Sequence, residues 1–469
     1  MQGQGRIGRC GHSGITHKSA FQAEDKFRRN NNAKQRLELW WMAMKNRGLD
    51  IYLVFTLSWF LHFGGRFPIL GAIRFDLILV CIMSAIALSK TKDSTLPPTD
   101  TDKVLRVLIV YSVLTIPFVE WPGSVVKSGI LNLIKAIVFY YFTVAFIKTE
   151  ADLKKFVFVF LTCQVLRVLE PLYLHITEGY WGNSASMADW ESLDRLSGAP
   201  DDVVNANGLA FIICTVLPFL YFLGGGSWMR RLVCIFLIGV CMYTLSLTGS
   251  RSGMIGLGVV VLGILLKSKH RLILGAVFTV AAVIGFSLLS PDMQDRYLSV
   301  VGKGEKNAAT SRERVEGMEQ QIHVALRRPI FGYGLGTSPE ANFHYVEGGP
   351  YVGMAMPAHN LFVELAQELG LPGLVIFLFL IKSILVGFVK SRRYVQGREA
   401  GIFLPKLIDG MQVWLAMNVV FSFASYGLSS YEWYLFGGLS VVLQRLASKD
   451  LLKRVLNEDG NGVRSVYGQ

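Results

Sequence analysis

Long runs of apolar residues, separated by short basic or glycine-containing stretches, recur from residue 49 to residue 446. Most are about 17 to 23 residues long, enough to cross a hydrocarbon core of about 30 Å as a helix. They predict spans near 49–65, 69–88, 104–121, 124–147, 154–175, 205–224, 230–248, 253–268, 272–290, 372–390, 407–427 and 431–446. The runs stay apolar instead of alternating, which argues against a transmembrane barrel built of alternating strands of about ten residues. The expected fold class is all-α: a polytopic membrane protein of about twelve transmembrane helices with one large outer loop.

The polar positions divide the chain further. Residues 1–48 read as a basic, disordered cytoplasmic arm, including "DKFRRNNNAKQR" and lacking a secretory signal pattern; Met42 or Met44 is an alternative start to Met1. Residues 49–290 hold the first nine spans, 291–371 the outer loop with short helices, 372–446 the last three spans and 447–469 a cytoplasmic tail. With this threading the arm and "SKTKD", "KTEADLKK", "MRR", "KSKHR", "KSRRYVQGRE" and "SKDLLKR" all fall on one side, which the positive-inside rule makes cytoplasmic. The opposite side receives "EWPG", the stretch 176–204, the "TGSRSG" turn and the loop 291–371. The stretch 176–204 is rich in acids, among them Asp189, Glu191, Asp194, Asp201 and Asp202.

The threading also places "AHNLFVELAQELGLPG", residues 358–373, at the outer face. Leu361, Leu365 and Leu369 recur at helical spacing, and Glu364, Gln367 and Glu368 supply a polar side. A short amphipathic helix at the interface is expected, stopped by "GLPG" and leading into a span.

Composition agrees with the bilayer. Of 469 residues, 52% are hydrophobic and only 17% charged, below the share of about a quarter usual in soluble domains. A net charge of +13 raises nucleic acid as a partner, but the lysines and arginines flank apolar spans, so none is expected. The cysteines form no CxxC pair, so neither a disulfide framework nor a zinc site is read. "GYGLG" at 332–336 does not complete a dinucleotide-binding fingerprint.

Candidate chemistry gathers on the outer side. Arg195, Arg251, Arg312 and Arg314 lie where the topology rule disfavours them, and guanidinium binds diphosphate bidentately without losing its charge. For Arg195 and Arg312 an ordinary pairing with acids such as Asp194 or Glu313 is the competing reading. Arg251, in a turn of a few small residues, points to function. An unperturbed imidazole titrates at about 6.5, so a histidine here can accept a hydroxyl proton. His323, His344 and His359 all qualify, and His359 also reads as the polar start of a helix beside Asn360. Among ionisable residues within spans, Arg74, Asp76, Lys135 and the pair Arg167 and Glu170, three apart and able to bridge, are assigned mainly to structure. Lys127, near an outer end, is a candidate for lipid phosphate.

Taken together, "RLSGAPDDVVNANGLA", "LTGSRSGMIGL", "RRPIFGYGLG" and "AHNLFVELAQELGLPGLVIF" resemble the O-antigen ligase and O-antigen polymerase superfamily over roughly residues 190–390. Two departures stand out. An acidic insert replaces an aromatic and a short link near Arg195, and Met318 stands where the family usually has Trp, which leaves Arg314 in register. The resemblance implies a metal-independent integral-membrane glycosyltransferase without a cofactor, in the inner membrane of a bacterium with its active site facing the periplasm. It implies an undecaprenyl-diphosphate-linked oligosaccharide donor and a glycan or lipid-core acceptor, in O-antigen, lipopolysaccharide or exopolysaccharide assembly. Residue by residue, it implies Arg251 and Arg314 as the diphosphate grip and His359 as the base; Arg195, Asn207, Arg312 and Lys127 stand beside them as substrate-binding candidates. A multi-spanning solute transporter of the same superfamily is the reading from another class.

Overall fold

The computed structural model describes residues 47–90, 97–182, 195–202, 204–298, 308–348, 352–396, 402–425 and 427–466; for residue 90, 308–314 and 449–466 it describes the backbone alone. The predicted arm up to residue 46, the acidic stretch 183–194 and the chain end 467–469 lie outside the described residues. The chain divides into two compact units, Met1–Ile51 and Tyr52–Gln469. Of the first, only residues 47–51 are described, a turn opening into a helix.

Among the described residues the structure is helical and holds no strand. The elements used below are α1 (Gly48–Phe60), α2 (Phe75–Lys90), α3 (Asp100–Leu114), α4 (Ile130–Phe146), α5 (Glu150–Glu178), α6 (Ala206–Leu223), α7 (Trp228–Thr248) and α8 (Arg251–Lys267). They continue as α9 (Arg271–Ser287), α10 (Pro291–Leu298), α11 (Ala308–Arg327), α12 (Ser338–Tyr345), α13 (Leu361–Val395), α14 (Phe403–Phe421) and α15 (Tyr431–Val466). Small polar residues start these helices where their side chains satisfy free backbone N–H groups. Thr99 and Thr149 form capping boxes with Asp102 and Asp152, while Asn205, Ser227, Ser250 and Asn360 cap α6, α7, α8 and α13.

Among the described residues six helices are long and apolar enough to cross a membrane: Pro122–Phe146, Glu150–Glu178, Ala206–Leu223, Trp228–Thr248, Leu361–Val395 and Phe403–Ala424. Gly48–Phe60, Phe75–Ser89 and Arg271–Ser287 are shorter apolar helices. The protein is therefore a multi-pass membrane protein. Two of the apolar windows are not continuous helices. His62 and Arg74 take left-handed backbone, with φ of 52° and 51°, and break the chain inside 49–65 and between 69 and 88.

The core forms where α4 packs on α15, α6 and α8 on α14, and α13 on α3 and α15. Its centre is aromatic: the Trp414 and Phe436 rings stack, with Trp433 and Phe377 edge-on nearby. By contrast α9 buries no residue; Leu272 and Ile273 are 85% and 65% exposed, the surface expected of a helix facing lipid.

The ion pair expected between Arg167 and Glu170 does not form. Arg167 instead makes a two-pronged pair with Asp202, at 2.7 and 2.9 Å, and Glu170 takes Arg66 at 2.6 and 2.5 Å. At i and i+3 both side chains point off one helix face, and each finds a better partner on a neighbouring segment. Asp76 accepts from the Ser58 hydroxyl at 2.5 Å.

Candidate active site

The "TGSRSG" segment is the turn between α7 and α8. Gly249 closes α7 with a left-handed φ of 54°, and a Cβ there would stand 3.1 Å from the Met293 sulfur. Ser250 caps α8 through the Gly253 N–H at 3.1 Å. Arg251 is the first residue of α8 and is buried, at 9% exposure. The turn's carbonyls draw in two more arginines: Arg195 donates to Thr248 O and Arg296 to Gly249 O, each at 2.8 Å. Arg296, itself buried, is a member of this group that sequence reasoning missed. Burial pushes the Tyr297 hydroxyl up to about 12 despite the opposing pull of Arg195 and Arg296, so it stays neutral beside them. Two arginines thus hold the carbonyls that end α7, beside the N-terminus of α8 where Arg251 stands.

The stretch after Arg195 is held by backbone pairing. Leu196 N–H reaches Leu247 O, Ser197 N–H reaches Trp181 O, and Gly198 N–H reaches Val204 O. The Arg167–Asp202 pair anchors its middle. It ends at Asn207 in the first turn of α6, whose Oδ1 accepts from Arg195 and from the Ser250 hydroxyl, both at 2.8 Å.

His359 sits at the start of α13. The cap is its neighbour: the Asn360 side chain accepts from Phe362 and Val363 N–H, at 2.9 and 3.3 Å. His359 is therefore not needed to start the helix, and it is exposed while Ala358 and Asn360 on either side are buried. The amphipathic helix expected at the interface is instead buried on both faces. Leu361, Leu365 and Leu369 are buried, and so are Glu364, Gln367 and Glu368. The polar side meets partners rather than water. Glu364 accepts from Gly427 and Leu428 N–H, Gln367 donates to Gln321 O and Asn342 Oδ1, and Glu368 accepts from Ser338 N–H. The turn expected at "GLPG" is present: Gly370 has φ 68° and ψ −178°, and a Cβ there would lie 2.4 Å from Ile330 O.

"GYGLG" covers that helix. Tyr333 and Gly334 N–H donate to the carbonyls of Gln367 and Glu368, and a Cβ on Gly332 would strike them at 2.6 Å. Beside it α11 and α12 share a small core of Val324, Tyr333, Ala341 and Val346, flanked by Trp121 and Tyr345.

Helix ends from α6, α13, α14 and α15, with one face of α11, enclose a cavity of about 650 Å³. Its wall includes His359, Asn207, Gln321, Met318, Asn418 and Glu432, with Phe211, Phe421 and Trp433 as apolar surface. His359 is the one of the three candidate histidines that lines it; His344 stacks on Trp121 instead. The structure thus brings His359 and Asn207 to one cavity and links Arg195 and the Arg251 turn to it through Asn207. Arg312 and Arg314 fall in the first two turns of α11, and their side chains lie outside the described residues. Lys127 stands apart from this wall, exposed on the π-helical stretch Val125–Gly129. Among the described residues no three His, Cys, Asp or Glu side chains gather in a group that could hold a metal ion.

Asn418 and Glu432 escaped sequence reasoning although they carried a signal, since polar residues inside apolar windows are expensive in lipid.

A search of curated proteins returns no match. Residues 232–378 match the family model described as O-antigen ligase. The matched stretch runs from α7 into α13 and contains Arg251, Arg312, Arg314 and His359, while Arg195 and Asn207 lie before it. By that match residues 232–378 are similar to the O-antigen ligase family.

Proposed function

We propose that this protein is a membrane glycosyltransferase that moves a glycan from an undecaprenyl-diphosphate carrier to an acceptor hydroxyl, on the periplasmic face of a bacterial inner membrane. The family match supports a role in membrane glycan transfer for surface polysaccharide synthesis. The observation that carries the finer reading is His359, free of capping duty, on the wall of a cavity whose Asn207 also holds Arg195 beside the Arg251 turn. In this reading about twelve spans thread the bilayer and residues 291–371 face outward, as the basic flanking segments require.

The chemistry follows from charge and proton balance. The acceptor oxygen attacks the anomeric carbon, the bond from that carbon to the diphosphate oxygen breaks, and the carrier leaves as its diphosphate. His359 takes the proton the acceptor hydroxyl sheds. Negative charge grows on the departing diphosphate, so arginines fixed beforehand stabilise the transition state more than the bound donor. Arg251 and Arg314 are assigned this role, with Arg195 and Arg312 supporting them. Attack opposite the leaving group inverts the anomeric centre, and the reading requires neither a metal ion nor the carboxylate pair of glycosidases.

Ligase and polymerase differ in acceptor, a lipid-linked core or another carrier-linked chain. The test is deletion of the gene followed by gel analysis of envelope glycan. Single short repeats identify a polymerase; full-length carrier-bound chains with bare core identify a ligase. Restoration by the wild-type gene but not by Arg251→Ala, at equal protein level, supports the transfer reading, and restoration by both contradicts it.

A further inference from the structure

The cavity wall holds a donor and an acceptor that the transfer chemistry leaves unused. Asn418, near the end of α14, is 4% exposed, and its Nδ2 is buried without a hydrogen-bond partner. Glu432, in the first turn of α15, has its Oε2 buried and likewise without a partner. Both residues line the same cavity. Buried polar atoms are nearly always paired, so two exceptions of opposite polarity in one wall call for a ligand that arrives and leaves.

Glu432 is held in place from behind. The Ser430 and Tyr431 hydroxyls reach its carboxylate. Tyr431 in turn accepts from Gln164 at 3.0 Å, and Gln164 accepts from Arg167, the partner of Asp202. Glu364, through Gly427 N–H, pins the turn between α14 and α15. Glu432 is therefore braced from behind, and Phe421 and Trp433 line the same cavity.

This geometry separates two ligand chemistries. A carboxylate repels phosphate, so the diphosphate belongs with the arginines around the α7–α8 turn and not at Glu432. A sugar ring offers what the other wall lacks: hydroxyls that donate and accept, and an apolar face for aromatic rings. We infer that Asn418 and Glu432 form a sugar-binding subsite that reads two hydroxyls of a glycan ring held for transfer. The inference rests on the transfer reading.

Purified protein, its cells' own carrier-linked glycan as donor and the matching acceptor test it by initial rates for wild type, Asn418→Asp, Glu432→Gln, the double exchange and Arg251→Ala. Each single exchange is expected to raise KM for one glycan substrate by about tenfold with kcat changed by less than about twofold. The double exchange restores a carboxylate and an amide in swapped places and is expected to recover much of that loss. Unchanged KM for both substrates in both singles, with Arg251→Ala inactive, overturns the subsite and leaves the transfer reading standing. A fully active Arg251→Ala overturns the transfer reading instead. Should a variant fail to accumulate, the wild type decides: oligosaccharide released from the envelope by mild acid is expected to raise its melting temperature, and no rise overturns the subsite.

Discussion

Arg195 donates to Asn207 Oδ1 at 2.8 Å, and the Ser250 hydroxyl donates to the same oxygen at the same distance. Both acceptor positions of that oxygen are filled, so Asn207 ties an arginine to the cap of α8 and at the same time lines the cavity.

Replacing Asn207 by alanine removes this tie. A hydrogen bond to a charged group contributes about 1.5 to 3 kcal/mol, so glycan transfer should fall by at least about tenfold. Transfer rates at equal membrane abundance check it. Asn207→Asp, which keeps the acceptor, should retain more activity than Asn207→Ala.

The neighbours His359 and Asn360 have separable duties. Asn360→Ala loses the cap of α13 and should cost about 1 kcal/mol of stability. His359→Ala should leave thermal stability close to wild type and abolish transfer. Melting curves and transfer rates on both variants decide, and an equal loss of stability in both contradicts the assignment.

Gly370→Ala should lower the melting temperature. The residue needs φ of 68°, and the added Cβ would stand 2.4 Å from Ile330 O, so the cost should exceed about 1 kcal/mol.

Asp202→Ala leaves Arg167 buried, at 8% exposure, without its counter-charge. Breaking one side of such a pair costs about 3 to 5 kcal/mol, so the variant should accumulate poorly and melt well below wild type. Arg66 and Glu170, both partly exposed, should respond much less to Glu170→Gln.

Much of this architecture is legible in the sequence because lipid demands long apolar helices, and the windows over α4 to α7, α13 and α14 meet helices long enough to span. The breaks at His62 and Arg74 are not legible, since left-handed backbone at a residue other than glycine leaves no pattern. Periodicity identified Glu364, Gln367 and Glu368 as one polar side; it says nothing about what covers that side, and here protein groups rather than water do so. By spacing the three histidines are equivalent; the resemblance alone favours His359, and of the three it is His359 that lines the cavity. Arg296 joined the arginine group only through the fold, because its contact with Gly249 spans 47 residues.

In the proposed mechanism His359 and the arginine turn at Arg251 serve one transfer reaction. The most direct measurement is the rate of glycan transfer from the carrier-linked donor by purified wild type, Arg251→Ala, His359→Ala and the double variant. Each single should lose at least about a hundredfold, and the double should be little worse than the weaker single, as groups acting on one transition state require. Wild-type rates in either single variant would contradict the claim.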